Sequence, residues 1–352
     1  MNTKVLKVDQ SHIDQNLIEQ AADFIKNEEL VAFPTETVYG LGANGLVPEA
    51  AAKIYAAKGR PSDNPLILHI SDIEQLKPLV TDIPEAAKKA MKAFWPGPMT
   101  VILNKKAIVP DGTTGGLSTV AVRMPDHPVA LALISASQCP IAAPSANTSG
   151  RPSPTKAEHV FEDMKGKIPC ILDGGMVGIG IESTIIDFTG EHPMILRPGF
   201  ITPEMFEEVI GEPVSIDPAV LDSNKLKGLA PKAPGMKYKH YAPKADLLLV
   251  SGDIDKVVGY INKKTEQAHD QALRVGIIGT DDTISSYHGD VILSIGTRDS
   301  DDTIAQNLYD VLRQFDHEDV DVIYSQVFDS GENGFAIMNR LTKAAGYDRI
   351  EV

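Results

Sequence analysis

At 352 residues the chain exceeds what one hydrophobic core usually holds, so two domains are expected, and 43% hydrophobic with 23% charged residues is the balance of a folded globular protein. A formal net charge of -15 argues against a surface built for nucleic acid or anionic lipid, while leaving room for a local basic pocket. The 2 cysteines, Cys139 and Cys170, stand apart in apolar runs without CxxC spacing, the pattern of core thiols and not of a disulfide framework or a zinc site.

The amino terminus carries no apolar signal segment and the longest apolar runs are strand-length, so cytoplasmic residence is expected. Lys4 to Val8 reads as a strand, followed by a helix from a Ser11 N-cap with Ile13, Leu17, Ala21, Phe24 and Ile25 on one face. Leu30 to Phe33 is a buried strand ending in the polar loop Pro34-Thr35-Glu36-Thr37-Val38-Tyr39-Gly40-Leu41-Gly42. A helix over Pro48 to Ala57 then delivers Lys58-Gly59-Arg60-Pro61-Ser62-Asp63-Asn64-Pro65, a stiffened loop with two cations, ahead of the strand Leu66 to Ile70. A rigid loop presenting Arg suits phosphate or carboxylate; a solvated helix C-terminus, where the macrodipole favours Lys and Arg, accounts for the same residues. His69 alternates with apolar neighbours in that strand, as a structural histidine does, although it lies close to Arg60 in sequence.

Short helical patterns over Ile73 to Leu79 and Ile83 to Phe94 lead to the strand Val101 to Leu103, and Ile108 to Gly116 is a Gly/Pro-rich loop. The strand Val120 to Pro125 and a helix near Pro128 to Ser137 precede Pro140 to Pro144, which opens into Ser145-Ala146-Asn147-Thr148-Ser149-Gly150-Arg151-Pro152. Small hydroxyl and amide groups between a strand and a helix starting near Thr155 form the kind of concavity that binds anions, and equally an ordinary turn. Strands over Pro169 to Leu172, Ser183 to Phe188 and Met194 to Arg197 follow, the glycines at 174–180 matching neither the dinucleotide nor the P-loop spacing.

Domain boundaries fall at 1–210, a linker at 211–243 and a final region at 244–352. The linker is rich in Pro, Lys and Gly, yet it ends in an aromatic-basic cluster, Lys237-Tyr238-Lys239-His240-Tyr241, that exceeds what a tether needs and points to a lid. The final region alternates strands and helices, as a small three-layer α/β domain does, with Asn339 and Arg340 expected to face outward or toward the other domain.

The polar loops after Phe33, Ala57 and Pro144, joined by Arg123, Ser183, Thr184 and Arg197, carry cations and hydroxyls but no clustered carboxylate pair and no Gly-x-Ser-x-Gly elbow. That set is wrong for glycoside hydrolysis, a carboxylate di-metal site or acyl-enzyme chemistry, and it suits alignment of two anionic groups.

Lys58-Gly59-Arg60 with Ser145-Ala146-Asn147, and Pro34-Thr35-Glu36-Thr37-Val38-Tyr39-Gly40 upstream, resembles the YrdC-like family of threonylcarbamoyl-AMP synthases. The linker Pro234-Gly235-Met236-Lys237-Tyr238-Lys239-His240-Tyr241 and the added carboxy-terminal domain resemble its long, two-domain form. The resemblance implies a twisted mixed sheet with helices and a concave active-site face, followed by a smaller Rossmann-like domain. It implies synthesis of L-threonylcarbamoyladenylate from L-threonine, bicarbonate or CO2, and ATP with Mg2+, for a tRNA-modifying transferase complex acting at adenosine 37. It also implies that Thr37, His69, Arg123, Ala143 and Ser183 hold L-threonine, and that Arg60, Asn64, Thr119, Ser145, Ser153 and Arg197 line the nucleotide site, joined by Lys58, Asn147 and Tyr238. Lys58 and Arg60 are the expected catalytic cations. Two rivals are an RNA-binding module, disfavoured by the net charge, and the carbamoyltransferase of hydrogenase maturation, whose zinc modules need more than 2 cysteines.

Overall fold

The computed structural model describes residues 1–221, 233, 241–328 and 334–352. The chain divides into two compact units: Met1–Ser149, Ser153–Gly178 and Glu182–Tyr238 form the first, and Gly150–Pro152, Ile179–Ile181 and Lys239–Val352 the second.

In the first unit the strands are β1 (Lys4–Lys7), β2 (Val31–Phe33), β3 (Gly40–Asn44), β4 (Ile67–His69), β5 (Met99–Asn104), β6 (Thr119–Arg123), β7 (Ile141–Ala143), β8 (Cys170–Asp173), β9 (Thr184–Asp187), β10 (Met194–Arg197) and β11 (Ser215–Ile216). Among the described residues they form an 11-stranded mixed sheet in the order β1-β8-β2-β3-β7-β4-β6-β5-β9-β10-β11. β4 runs parallel to β6 and antiparallel to β7, and β5 is antiparallel to β6.

One face of this sheet is covered by an extensive core that includes Leu68, Val101, Val122 and Ala142 from the strands and Ala51, Ile54 and Met91 from helices. Trp95 joins it, 8% exposed, with its indole N–H donating to Met99 O at 2.7 Å. The opposite face is covered at one end by helices Gln15–Lys26 and Pro128–Ser137, which pack Ile18, Ala21, Ile25 and Leu133 on Phe33, Ile141 and Ala143. Burying each isoleucine there contributes about 1.5–3 kcal/mol. Farther along that face a smaller cluster joins Ile67, Ile102, Ala121, Ile185 and Leu196 to Ala233.

Several local expectations are corrected. The first helix is capped by Asp14, whose carboxylate accepts from Asn16 N at 2.9 Å, and not by Ser11. The loop read over 34–42 contains the start of β3, because Gly40 and Gly42 lack the side chains that would betray an alternating strand. Their small size matters, since a Cβ on Gly42 would meet Ile141 and Phe33 at 2.7 and 2.8 Å. The helix read over Ile73 to Leu79 is a short 3-10 turn, Ile73–Gln75, closed by a capping box of Asp72 and Gln75.

The second unit contains β12 (Asp246–Ser251), β13 (Val275–Gly279), β14 (Val291–Ser294), β15 (Val322–Gln326) and β16 (Arg349–Glu351), all parallel, in the order β14-β13-β15-β12-β16. Helices Ile254–His269, Asp301–Phe315 and Gly334–Ala344 alternate with them, as the sequence pattern predicts. Arg340 is buried and donates to Ala336 O at 3.4 Å, so of the two orientations expected for it the outward one is excluded. Among the described residues no helix is long and apolar enough to cross a membrane.

Candidate active site

Helix Pro48–Lys58 ends because Gly59 takes the left-handed conformation, φ 63°, and donates its N–H to Ala56 O at 3.3 Å. That turn sends Lys58 inward. The side chain is 2% exposed, and its ammonium donates to the carbonyl oxygens of Ser145, at 2.5 Å, and of Asn147, with Asn147 Oδ1 at 3.4 Å. Ser145 Oγ donates to Asn147 Oδ1 at 2.6 Å, and Ser149 N donates to Lys58 O at 2.9 Å. Lys58 therefore joins the helix end to the loop after β7 and is not a solvated terminal cation. The two sequence motifs separated by some ninety residues are one structure.

Arg60 folds along its own loop, with Nη2 donating to Pro65 O at 3.1 Å and to Asn64 O at 3.4 Å. Asn64 is buried, and its Oδ1 has no hydrogen-bond partner among the described residues. Tyr55 donates its hydroxyl to Asn64 O at 3.2 Å, and burial pushes that phenol up to about 12.

Strand register explains the rest. His69 pairs with Arg123 across β4 and β6, Arg123 with Thr100 across β6 and β5, and Ile67 with both Ala121 and Ala143. Because side chains alternate along a strand, His69, Arg123, Thr119, Ala143 and Thr100 all lie on the face that also carries Ile67 and Ala121. Asn64, Thr119 and Ser145 adjoin the same ends of β4, β6 and β7, whereas His69 and Arg123 stand at the other end. Four residues at about 3.3 Å each put about 13 Å between Thr119 and Arg123 along β6. The set is thus split into two subsites.

At the Arg123 end the polar groups are dense. Arg123 Nη2 stands 2.7 Å from Glu36 Oε2, with both side chains nearly enclosed. The approach is an ion pair without an aligned hydrogen bond, so Glu36 Oε1 and Oε2 and Arg123 Nε and Nη2 lack hydrogen-bond partners among the described residues. His127 Nδ1, also buried, is in the same state. Burial takes His127 down to about 4, opposed by the Glu36 charge, and takes His69 down to about 3, helped by the Arg123 charge, so both rings are neutral. His69 Nδ1 lies 3.1 Å from Ile67 O, and the ring stands edge-on to Phe33 at 5.9 Å.

Thr37 is fully buried in a turn organised by Thr35 Oγ1, which donates to Val38 O at 2.7 Å and accepts from Thr37 N and Val38 N at 3.2 Å. Ser183 Oγ is 2.8 Å from Thr100 Oγ1 and accepts from Arg197 Nη2 at 3.1 Å, while Arg197 Nε donates to Ser183 O at 3.1 Å. Gly199 allows this approach, since a Cβ there would meet Thr184 N at 2.4 Å. The structure thus joins Arg197 to Ser183. Ser153 donates to Glu182 Oε1 at 2.6 Å. Tyr238 lies outside the described residues, as does most of the expected lid; Ala233, which is described, is 0% exposed and packs on Ile67 and Ala121.

Glu36, His127 and Thr100 were missed as site residues by sequence reasoning. Glu36 carried a signal, being the one carboxylate in an otherwise neutral loop between two buried strands; His127 and Thr100 carried none.

The family model described as telomere recombination, for Sua5, YciO and YrdC proteins, matches residues 23–199, and the model for the threonylcarbamoyl-AMP synthase C-terminal domain matches residues 201–346. The threonylcarbamoyl-AMP synthase of Pyrococcus abyssi is 50% identical over 97% of both chains. That of Bacillus subtilis is 50% identical over 94% of this chain and 93% of its own. The crystal structure of P. abyssi Sua5 complexed with L-threonine superposes with a TM-score of 0.93, covering 99% of this chain and 100% of that one.

Proposed function

The chain belongs to the Sua5/YciO/YrdC family, in its two-domain threonylcarbamoyl-AMP synthase form, and from that membership we propose how its site divides the work. The reaction joins L-threonine, bicarbonate or CO2, and ATP into L-threonylcarbamoyladenylate and releases pyrophosphate. The product serves N6-threonylcarbamoyladenosine formation at position 37 of tRNAs that read codons beginning with A; transfer to tRNA falls to a partner complex.

The observation that carries the division is the buried Arg123 guanidinium at one end of β6, ion-paired to Glu36 but without an aligned hydrogen bond at Nε or Nη2, and the Lys58-Ser145-Asn147-Asn64 assembly at the other. A buried guanidinium lacking hydrogen bonds costs stability unless a ligand supplies acceptors, and a carboxylate matches its fork. The Arg123 end takes L-threonine, with its carboxylate on Arg123 and Thr37, His69, Ala143 and Ser183 around the remainder. Arg197 acts there through Ser183 as a positioning residue. The opposite end takes ATP, with Arg60, Asn64, Thr119, Ser145, Asn147 and Ser153 as its wall. A span of about 13 Å accommodates an amino acid carbamate facing an α-phosphate. The threonine nitrogen captures CO2, and the carbamate oxygen then attacks the α-phosphorus in line, displacing pyrophosphate. Arg60 offsets the repulsion of the two anions, while Lys58 holds the loop that shapes the phosphate end.

Among the described residues no three His, Cys, Asp or Glu side chains cluster to hold a metal. A donor set that sparse fits Mg2+ only as a companion of ATP, ligated chiefly by phosphate oxygens and water, where it would add positive charge. Residence in the cytoplasm, beside ATP and tRNA, goes with this reading. The test is mass spectrometry of protein incubated with ATP, L-threonine and bicarbonate. A threonine-dependent carbamoyl-adenylate is expected, and its absence with the folded protein overturns the assignment.

A further inference from the structure

Glu36 has no place in the roles above, although its carboxylate is 12% exposed and faces the same guanidinium as the substrate carboxylate. A carboxylate kept as a structural counter-ion frequently forms aligned, forked hydrogen bonds with arginine. Glu36 does not: neither oxygen accepts one among the described residues, despite the 2.7 Å approach. Nor is its position slack, since the Thr35 hydroxyl fixes the turn on both sides of it. The groups facing it are Arg123 from β6 and His127 just beyond that strand, while His69 from β4 lies beside Arg123; both imidazoles are neutral. One cation therefore serves one oxygen of the carboxylate, Oε2, and the other, Oε1, is still to fill. An α-amino acid brings the missing complement, a carboxylate for Arg123 Nε and an ammonium for Glu36 Oε1. The four charges then alternate in sign around the site.

We propose that Glu36 is a catalytic residue that binds the amino group of threonine and takes the proton which that nitrogen sheds as the carbamate forms. This rests on the placement of L-threonine at Arg123. Threonine arrives as the ammonium. Dehydration of bicarbonate to CO2 frees a hydroxide equivalent, which takes the first proton and leaves as water. The amine lone pair then attacks the CO2 carbon, forming the N–C bond, while one C=O pair moves onto oxygen. The nitrogen, now positively charged and acidic, passes its second proton to a Glu36 oxygen. The products are the carbamate anion and neutral Glu36, with the total charge unchanged. A base held within hydrogen-bond reach of that nitrogen contributes roughly 100-fold or more to such a step.

The test compares the full chain with its Glu36→Gln variant, using calorimetric binding of L-threonine and of (R)-3-hydroxybutyrate, which is threonine without the amino group. Wild type is expected to bind both. Glu36→Gln is expected to bind threonine about 10-fold to 100-fold more weakly while holding hydroxybutyrate at least as well. At saturating threonine its pyrophosphate release should fall by about 100-fold. Threonine binding within about twofold of wild type, or an unchanged kcat, overturns the proposal. Hydroxybutyrate binding also reports that the variant is folded; if it is not, Glu36→Asp, which keeps the charge but withdraws it by one methylene, must show the same selective loss. Failure of the underlying placement looks different: Arg123→Met would then leave the binding of both ligands unchanged.

Discussion

Lys58 Nζ stands 2.5 Å from the main-chain oxygen of Ser145 and also donates to oxygens of Asn147. The ammonium is committed to backbone acceptors, so its removal should be felt first as lost structure. Lys58→Met leaves those oxygens without their cationic donor and should lower stability by about 2–4 kcal/mol in urea denaturation. Pyrophosphate release should collapse even where the variant remains folded. A variant as stable as wild type would show that the carbonyls find other donors.

Arg197 offers a test of which subsite it serves. Its two hydrogen bonds to Ser183 tie it to a residue proposed for the threonine end. Arg197→Lys keeps the charge and loses the fork, and should raise the KM for threonine by about 10-fold with less than a twofold change for ATP. The reverse pattern would return Arg197 to the nucleotide end.

The buried histidines give the fold an acid-side weakness. His69 and His127 have folded pKa values of about 3 and about 4, against 6.5 for the free ring. Below pH 6.5 the unfolded chain binds protons that the folded chain refuses, so stability is complete above 6.5 and falls as pH drops toward 4. At pH 5 each ring should cost about 2 kcal/mol. His127→Gln should remove about half of that decline in urea midpoints measured from pH 7 to pH 5. An unaltered profile would place the acid sensitivity elsewhere.

Ala233 is the described anchor of the linker. It packs without exposure against Ile67, Ile102 and Ala121, on the face that carries His69 and Arg123. Ala233→Glu buries an unpaired charge there and should speed limited proteolysis between Leu221 and Tyr241, while raising the KM for threonine and ATP together. Threonine plus ATP should protect that stretch in wild type. Cleavage at the same rate with and without substrates, or in the variant and wild type alike, would count against a closing linker.

Legibility in the sequence followed the physics of each signal. The cations of the Lys58 loop and the small polar residues after Pro144 stood out because neither suits a core, yet only the fold reveals that a lysine ammonium ties them together. The strands of the second unit were readable from alternation with helices. β3 was hidden because its glycines erase the period-2 pattern. Arg197 was legible as a site cation, but its bond to Ser183 was not, since the two meet through the β9–β10 register and a close pass at Gly199, both long-range. Glu36 stood out as the one carboxylate of its loop, but its enclosure against Arg123 is long-range and only the fold shows it.

Trp95 has an experimental consequence. It is the single tryptophan of the chain, it belongs to the first unit, and its indole is clasped between the sheet core and Met99 O. Emission excited at the red edge of the ultraviolet band, where tyrosine does not absorb, therefore comes from the catalytic unit alone. Far-ultraviolet dichroism, by contrast, averages both units. Any gap between the two denaturation curves measures how far the two units melt separately, with no label attached and no residue altered.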